Sequence, residues 1–324
     1  MTEFLRKAWY LTGPTAAGKT AVGLKLAQLI NAEIISLDSM ALYHGMDIGT
    51  AKPSLEERRA VPHHLIDVIE PVHEFSVAQY LAAAEKVANE ITARGKKILF
   101  VGGTALYLKA LLRGLFSGPS ADWKLRQELD EVAQVDGSEA LHRRLQQVDS
   151  TAAAKLHPND VRRIIRALEV HSTTGQPISK MQNQFDLGRP ADECRVFVLD
   201  WSREQLEQRI RQRVDAMFAA GLVDEVQRLL VRERMEDRNP HINLRTKALS
   251  RTAGQAVGYK EVLEFLNGDR DLPATIELVK LRTRQFAKRQ LTWFRSLSEC
   301  RWIEVGENFQ PEEIARRIAA IGLA

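Results

Sequence analysis

The chain has 324 residues, 44% of them hydrophobic and 27% charged, a composition typical of a globular protein with one large core and a smaller unit. Its apolar runs are strand-sized and fall well short of the ~20 residues that span a bilayer, so we expect no contact with a membrane. Two cysteines are too few for a disulfide framework or a zinc site, and the segment before Gly13 leaves no room for a cleaved signal peptide. We therefore expect a reducing, cytoplasmic location.

The first third of the chain alternates apolar runs with helical patterns. Three runs predict buried strands and two longer segments predict helices between them: residues 8–12, 33–37 and 98–101 for the strands, and 18–30 and 76–93 for the helices. Ser76 is a predicted N-cap, and Gly95 a predicted end, of the second helix. This alternation predicts an α/β fold with a parallel sheet flanked by helices.

The pattern changes between Gly118 and about Pro190. Three segments there, residues 121–134, 138–147 and 159–174, are helical by periodicity. Asn159 is the predicted N-cap of the last of these helices and Gly175 its predicted end. We therefore expect an all-helical insertion at 118–190, acting as a lid, between two parts of the core at 1–117 and 191–324.

The last part of the chain returns to the sheet. Residues 194–202 and 301–305 predict two further strands. Ser202 opens a helix through a capping box, and Gly221 closes it. Residues 273–297 predict one long basic helix.

Residues 13–20 read GPTAAGKT and match the phosphate-binding pattern G-x-x-x-x-G-K-[ST]. An apolar strand precedes the pattern and an amphipathic helix follows it, so backbone N–H groups and the positive end of the helix converge on an anion. Lys19 adds a point charge, and the hydroxyl of Thr20 can ligate Mg²⁺. Together with the alternation of strands and helices, this pattern predicts an α/β fold of the P-loop NTPase type. It predicts a bound phosphate chain without saying which molecule carries it.

Two aspartates, Asp38 and Asp200, follow apolar strands. Because ligands of open α/β sheets bind at the carboxyl ends of the strands, Asp38 is placed to touch the reacting ligand. We expect its strand to lie next to the first strand, beside the phosphate loop. For Asp200 a structural role is favoured, since Ser202 already caps the following helix.

Positive charge is uneven along the chain, although the formal net charge is only +4. Three basic clusters stand out: residues 278–298, which contain no acidic residue; Arg162, Arg163 and Arg166; and Arg203, Arg209, Arg211 and Arg213. One such cluster alone is usually a solvated helix face. Three of them beside a phosphate loop favour a polyanionic partner.

Beyond the phosphate loop, several blocks occur in an order that resembles the bacterial tRNA dimethylallyltransferases, also called tRNA isopentenyltransferases. The blocks are LDSMALYHGMDIGTAKP at 37–53, PHHLIDVIEP at 62–71, VGGTALYLKALLRGL at 101–115, HPNDVRRIIRALEV at 157–170, RIRQRVDAMFAAGLVDEV at 209–226, QAVGYKE at 255–261 and RQLTWFR at 289–295. The resemblance spans nearly the whole chain. The alignment of residues 235–254 is the part that the blocks leave undefined.

This resemblance implies transfer of a dimethylallyl group from dimethylallyl diphosphate to N6 of the adenosine beside the tRNA anticodon. It implies that Asp38 is the general base, and that Thr15, Lys19 and Arg213 act on the diphosphate with Mg²⁺ at Thr20. The loop residues that would hold the diphosphate are Gly13, Pro14, Thr15, Ala16, Ala17, Gly18, Lys19 and Thr20. The partners implied are a tRNA anticodon stem-loop and dimethylallyl diphosphate, and we expect a monomer.

The resemblance also implies a set of tRNA-binding residues. These are Asp38, Ser39, Met40, Ala41, Thr104, Arg126, Arg162, Arg163, Ile164, Ile165, Arg166, Gln255, Ala256, Val257, Gly258, Tyr259 and Lys260. Tyr43, Tyr107 and Tyr259 are equally open to base stacking, shaping of the prenyl pocket and simple packing.

Three alternatives remain open from the sequence. A phosphoryl transferase acting on a small molecule would also have the phosphate loop, the strand-end aspartate and a helical lid. Such enzymes lack the block at 37–53 that this chain carries around Asp38. A prenyltransferase acting on free adenine nucleotides would carry out the same allyl transfer, but it would have no need of the basic helices. An RNA-binding protein with an inactive loop is opposed by the intact Lys19, Thr20 and Asp38.

Overall fold

The computed structural model describes residues 7–116, 118–119, 121–182, 188–236, 249–306 and 308–324. Most of the 235–254 segment, whose alignment the sequence leaves undefined, lies outside these residues. The chain divides into two compact units, one made of Met1–Leu112 with Gly188–Ala324 and the other of Arg113–Leu187. We call them the sheet unit and the helical unit.

The sheet unit is built on six parallel strands. They are β1 (Trp9–Thr12), β2 (Ala32–Ser36), β3 (His63–His64), β4 (Lys97–Val101), β5 (Val196–Asp200) and β6 (Cys300–Glu304), in the order β3-β2-β4-β1-β5-β6. The predicted parallel sheet is confirmed. The expected adjacency of β1 and β2 is wrong, because β4 pairs with both and lies between them.

Helices cover both faces of the sheet, as predicted. The helices of the sheet unit are α1 (Lys19–Ile30), α2 (Leu55–Ala60), α3 (Val77–Ala93), α4 (Ala105–Arg113), α10 (Arg203–Ala219), α11 (Leu222–Glu236), α12 (Tyr259–Leu266), α13 (Leu272–Arg295) and α14 (Pro311–Leu323). The side chain of Ser76 accepts from the backbone N–H of Gln79 in a capping box. The side chain of Ser202 caps α10 by accepting from the N–H of Gln205.

The core sits in two layers because side chains alternate along each strand. In β1, Tyr10 faces the layer with α3 and α4, where its ring stacks on that of Phe100 at 4.9 Å. Trp9 and Leu11 face the opposite layer, packed by α1 and α14. Every residue of β1 is buried, so the phosphate loop begins from the centre of the core.

The helical unit has its own apolar core. Its helices are α5 (Trp123–Val135), α6 (Ser138–Val148), α7 (Ser150–Lys155), α8 (Val161–Thr174) and α9 (Ile178–Met181). The N-cap of α8 is Asp160, one residue after the predicted Asn159, and Gly175 ends the helix with a left-handed φ of 68°. Among the residues that the structure describes, no helix is both long and apolar enough to cross a bilayer.

Candidate active site

The phosphate loop has the backbone that its glycines predict. Gly13 has a φ of 146° and Gly18 a φ of 85°. A Cβ on Gly18 would lie 2.4 Å from the ring of Phe309, and one on Gly13 would lie 3.1 Å from the carbonyl oxygen of Leu199. Any side chain at either position would therefore deform the loop.

Lys19 lies within the loop, at the start of α1. Its ammonium donates to the carbonyl oxygens of Gly13 at 3.0 Å and of Pro14 at 2.7 Å. Burial, reinforced by the charge of Arg213, lowers the pKa of Lys19 to about 7, although Asp38 opposes the shift. A bound anion would remove this penalty, so the site favours negative charge.

Three side chains from elsewhere in the chain hold the loop. Trp201 donates its indole N–H to the carbonyl oxygen of Ala17 at 3.0 Å, and Arg209 donates to that of Ala16 at 2.8 Å. The Arg209 guanidinium lies 4.3 Å from the centre of the Trp201 ring. Arg209, which the sequence placed in a basic cluster, thus stabilises the loop. Gln290 accepts from the N–H of Thr15 at 2.8 Å.

Asp38 reaches the phosphate loop although β4 separates its strand from β1. After β2 the chain crosses the end of β4, and a Cβ on Gly102 would lie 2.2 Å from the carbonyl oxygen of Leu37. Only glycine permits this close approach. Asp38 Oδ1 accepts from the N–H of Met40 at 2.9 Å, which fixes the orientation of the carboxylate.

Thr104 holds the backbone on both sides of Asp38. Its N–H donates to the carbonyl oxygen of Leu37 at 3.0 Å, and its Oγ1 accepts from the N–H of Ser39 at 3.0 Å. The GGT segment after β4 therefore orients the strand-end aspartate.

Two cavities of the sheet unit meet at these residues. The first, the phosphate-loop cavity, is lined by Thr15, Lys19, Thr20, Asp38, Arg213 and Gln290, among others. The second cavity, of about 280 Å³, is lined by Asp38, Ser39, Met40, Thr104, Arg213 and Gln255–Val257, among others. Asp38 and Arg213 belong to both, so a molecule in one cavity can react with a molecule in the other beside these two side chains.

Arg213 lies half-buried between the cavities. It donates to the carbonyl oxygen of Thr50 at 3.3 Å. Burial lowers the pKa of its guanidinium, and the carboxylate of Asp38 acts in the opposite direction. A guanidinium stays charged in proteins, so Arg213 holds a fixed positive charge where the cavities join.

The loop that carries Thr50 rests on a buried carboxylate, Glu225. Its oxygens accept from the backbone N–H groups of Asp47 at 3.0 Å, Ile48 at 2.7 Å and Gly49 at 3.2 Å. The hydroxyl of Tyr259 also donates to Glu225, at 2.6 Å. Tyr259 is fully buried and fixes this loop, and it also lines the second cavity.

The remaining residues expected to bind the acceptor differ in exposure. Gln255 is exposed at the rim of the second cavity, and Gly258 is buried with a left-handed φ of 97°. Lys260 is 57% exposed and lies 3.8 Å from Glu264. Tyr107 is buried in the core with its ring stacked 3.9 Å from that of Tyr80, so it is also a packing residue.

In the helical unit, a fully buried Glu169 organises the predicted arginines. Its carboxylate accepts two hydrogen bonds from Arg126, both at 2.8 Å, and one from Arg166 at 2.5 Å. These hydrogen bonds lower the pKa of Glu169 against the effect of burial. The side chains of Arg126 and Arg166 are 28% and 30% exposed, so part of each guanidinium-bearing side chain remains in contact with solvent.

Ile164 and Ile165 do not belong to a contact surface. Their side chains are 0% and 4% exposed and lie in the core of the helical unit. Side chains enclosed in this way cannot touch RNA, so we drop both from the proposed set. Arg162 and Arg163, on the same helix, are exposed.

Asp200 and His64 line neither of the two cavities, whereas the neighbouring His63 lines the phosphate-loop cavity. Asp200 ends β5, and burial raises its pKa. His64 Nε2 lies 2.7 Å from Glu33, which also binds Arg94, and this cluster stabilises the fold. Within the described part of the chain, no group of three or more His, Cys, Asp or Glu residues is arranged to hold a metal ion.

Sequence reasoning missed Glu225, Gln290 and Glu169. Glu225 lies 176–178 residues from the N–H groups it binds, and Gln290 lies 275 residues from Thr15. No local pattern links such partners. The one available signal was that all three fall inside the blocks given above: Glu225 in GLVDEV, Gln290 in RQLTWFR and Glu169 in HPNDVRRIIRALEV.

Comparison with known proteins identifies the relatives of this chain. A model described as IPP transferase matches residues 41–297. The tRNA dimethylallyltransferase of Geobacter metallireducens is 44% identical over 92% of this chain and 92% of its own. That of Rhodopirellula baltica is 47% identical over 90% of this chain and 86% of its own.

Solved structures give the same result. The full-length tRNA isopentenylpyrophosphate transferase of Bacillus halodurans is 38% identical, with a TM-score of 0.66 over 98% of this chain and 96% of that one. A eukaryotic dimethylallyltransferase acting on tRNA is 28% identical, with a TM-score of 0.75 over 96% of this chain and 77% of that one. The chain belongs to the IPP transferase family.

Proposed function

We propose that this protein transfers a dimethylallyl group from dimethylallyl diphosphate to N6 of the adenosine at position 37, next to the anticodon of tRNA, and releases diphosphate. The observation that supports this most strongly is the meeting of two cavities at Asp38 and Arg213. One cavity carries the phosphate loop and suits the donor. The other suits an adenine.

The phosphate-loop cavity would hold the diphosphate as a leaving group. The bond between the allyl carbon and the diphosphate oxygen breaks, and its electron pair stays on the diphosphate. Lys19, Arg213 and backbone N–H groups of the phosphate loop are the donors that meet this growing negative charge, except at Pro14, which has no N–H, and at Thr15, whose N–H donates to Gln290. Because these groups are held by the fold, they need no rearrangement during the reaction.

Mg²⁺ fits the same cavity. The hydroxyl of Thr20 lines it, and Mg²⁺ typically takes one or two protein oxygens together with phosphate oxygens and water. When bound, the ion would supply further positive charge to the diphosphate. The protein residue that we assign to it is Thr20.

Asp38 would take the proton from the adenine amine. The N6 lone pair is shared with the ring, so the amine attacks the allyl carbon well only if its proton leaves as the new N–C bond forms. A positioned carboxylate contributes ~10²–10⁴-fold in rate to such a step. Oδ1 is engaged with Met40, which leaves Oδ2 for the proton.

The acceptor would be presented by RNA. The target adenine must leave its stack to reach a cavity, at a cost of a few kcal/mol. We assign contacts near the adenine to Asp38–Ala41, Thr104 and Gln255–Lys260 of the sheet unit. We assign phosphate contacts to Arg126, Arg162, Arg163 and Arg166 of the helical unit, the proposed lid.

The remaining features follow from this function. A tRNA-modifying enzyme works where tRNA is matured, so we propose a cytoplasmic location. Both cavities are formed within one chain, and on this ground we propose that the monomer is active.

The test is incubation of the purified protein and Mg²⁺ with dimethylallyl diphosphate labelled in its allyl group and unmodified tRNA. Label should enter the tRNA and be lost when adenosine 37 is replaced by guanosine. Parallel reactions with AMP as acceptor, and with ATP and tRNA, test the alternatives. Labelling of AMP at an equal rate would replace tRNA by a free nucleotide, and phosphoryl transfer from ATP would indicate a kinase.

A further inference from the structure

Gln290 lies on α13 and is buried, with 5% of its surface exposed. Both the oxygen and the nitrogen of its carboxamide form hydrogen bonds. Oε1 accepts from the N–H of Thr15 at 2.8 Å, and Nε2 donates to the carbonyl oxygen of Gly103 at 2.7 Å. One side chain thus connects the phosphate loop with the segment that follows β4.

The backbone is shaped to admit this side chain. A Cβ on Gly103 would lie 2.5 Å from Gln290 Nε2 and 3.5 Å from Lys19 Nζ. A side chain at residue 103 would therefore push the carboxamide away from the carbonyl oxygen that it binds. Gly103 and Gln290 form a matched pair.

The connection continues to Asp38. Gly103 is followed by Thr104, which binds the backbone of Leu37 and Ser39 on either side of the aspartate. A hydrogen-bonded route therefore runs from Thr15 through Gln290, Gly103 and Thr104 to the base. Each bond in the route is between 2.7 and 3.0 Å long.

We propose that Gln290 is a positioning residue that fixes the phosphate loop relative to Asp38, so that the allyl carbon and N6 meet at reacting distance. This proposal rests on the proposed function. Gln290 lines both cavities, and the role proposed for it is to hold the two backbone segments in place. A misplacement of about 1 Å between reacting groups can cost ~10²-fold in rate, so such a brace has a large effect on turnover.

Glutamine suits this position better than its isosteres. Glutamate could accept from Thr15, but an ionised carboxylate cannot donate to the Gly103 carbonyl and would place a negative charge beside the diphosphate. Methionine has a similar length but makes neither bond, and it leaves a buried N–H and a buried C=O without partners.

The first experiment compares Gln290→Met with Gln285→Met, a matched control on the same helix whose side chain contacts Arg282. We expect kcat of Gln290→Met to fall at least about tenfold, with the Kd for inorganic diphosphate within about threefold of the original. Gln285→Met should keep both values. Thermal unfolding of each variant checks that it is folded.

The second experiment uses Gln290→Glu and its pH profile. A protonated glutamic acid can accept from Thr15 and donate to Gly103, as glutamine does. The ratio of its rate to that of the original protein should therefore rise as the pH falls from 8 to 5.5. Dividing by the rate of the original protein at each pH removes the titration of the other groups. A side chain that only fills space would give a flat ratio.

These outcomes decide the proposal. Wild-type turnover in Gln290→Met, or a flat ratio for Gln290→Glu, would overturn it. An equal loss of diphosphate binding and turnover would also overturn it, because Gln290 would then shape the loop alone. If Gln290→Met does not fold, the pH ratio decides. Failure of the proposed function is distinct, because the original protein itself would then transfer no allyl group.

Discussion

At the scale of single residues, the carboxylate of Asp38 is the proposed general base of the transfer reaction. We expect Asp38→Asn to lower kcat by ~10²–10⁴-fold, because the amide keeps the hydrogen bond from Met40 but cannot accept a proton. The Kd values for tRNA and for dimethylallyl diphosphate should change little. Single-turnover transfer and filter binding measure the two quantities, and turnover near that of the original protein would remove Asp38 from the base role.

Lys19 links diphosphate binding to pH. Its pKa of about 7 in the free protein means that the ammonium is largely deprotonated above that pH, and a bound diphosphate restores the charged form. Binding should therefore take up a proton above pH 7 and weaken as the pH rises toward 9. Well below pH 7 the ammonium is already formed, so Lys19 should contribute no uptake.

Calorimetry in buffers of different ionisation enthalpy measures this proton uptake. Lys19→Arg is the control, since a guanidinium stays charged throughout this range. If the arginine variant takes up as many protons as the original protein, the protons come from another group.

At the scale of structural elements, Glu225 holds the loop of residues 47–50 against Arg213. Glu225→Gln would turn an amide NH₂ toward N–H donors. We expect a loss of about 2 kcal/mol in the free energy of unfolding and about a tenfold lower kcat/KM for the donor. Tyr259→Phe removes one donor and leaves the backbone contacts, so its effects should be smaller. Denaturant unfolding and steady-state kinetics test the order of the two variants.

Glu169 has a comparable place in the helical unit, where it joins α8 to α5 through Arg126 and also binds Arg166 of its own helix. Glu169→Gln should lower the free energy of unfolding by about 2 kcal/mol. This loss is smaller than that for breaking a fully buried ion pair, because both arginines are partly exposed to solvent. Since its pKa is lowered on folding, this stabilisation is present at neutral pH and fades as the pH falls through the folded-state value.

The control is Glu139→Gln in the same unit. Glu139 is 79% exposed and lies 4.0 Å from Arg143, a pair worth about 0.5 kcal/mol or less. Equal effects of the two substitutions in urea unfolding would show that Glu169 is not the organising charge.

At the scale of the whole molecule, tRNA binding should depend strongly on salt. Each phosphate contact contributes about −0.9 to the slope of log K against log salt concentration. We expect Arg162→Ala with Arg163→Ala to reduce the magnitude of that slope by about 2. Arg166→Ala should in addition destabilise the helical unit, because it removes a partner of Glu169. Arg316→Ala on α14 is the control, and a slope unchanged by the double substitution would make that cluster a solvated helix face.

The sequence predicted the features whose signals are local. Strand alternation, the caps at Ser76 and Ser202, and the phosphate loop each lie within a few neighbouring residues. The order of strands was not predictable in the same way, because the pairing of β4 with both β1 and β2 depends on the crossover of helices between them. The supports of the site, Glu225 and Gln290, also escaped, since each binds backbone groups more than 170 residues away.

The strand order has one further consequence. Neighbouring strands lie about 4.8 Å apart, so β1 and β2 themselves are separated by two strand spacings, about 10 Å. The crossing of the chain over the end of β4 brings Asp38 back across part of this interval, and the close approach of Gly102 to Leu37 limits that return. We therefore expect the space for a short hydrocarbon, between the departing anion and the nitrogen it joins, to be set by the backbone. Side-chain substitutions should then change the preferred donor length only slightly.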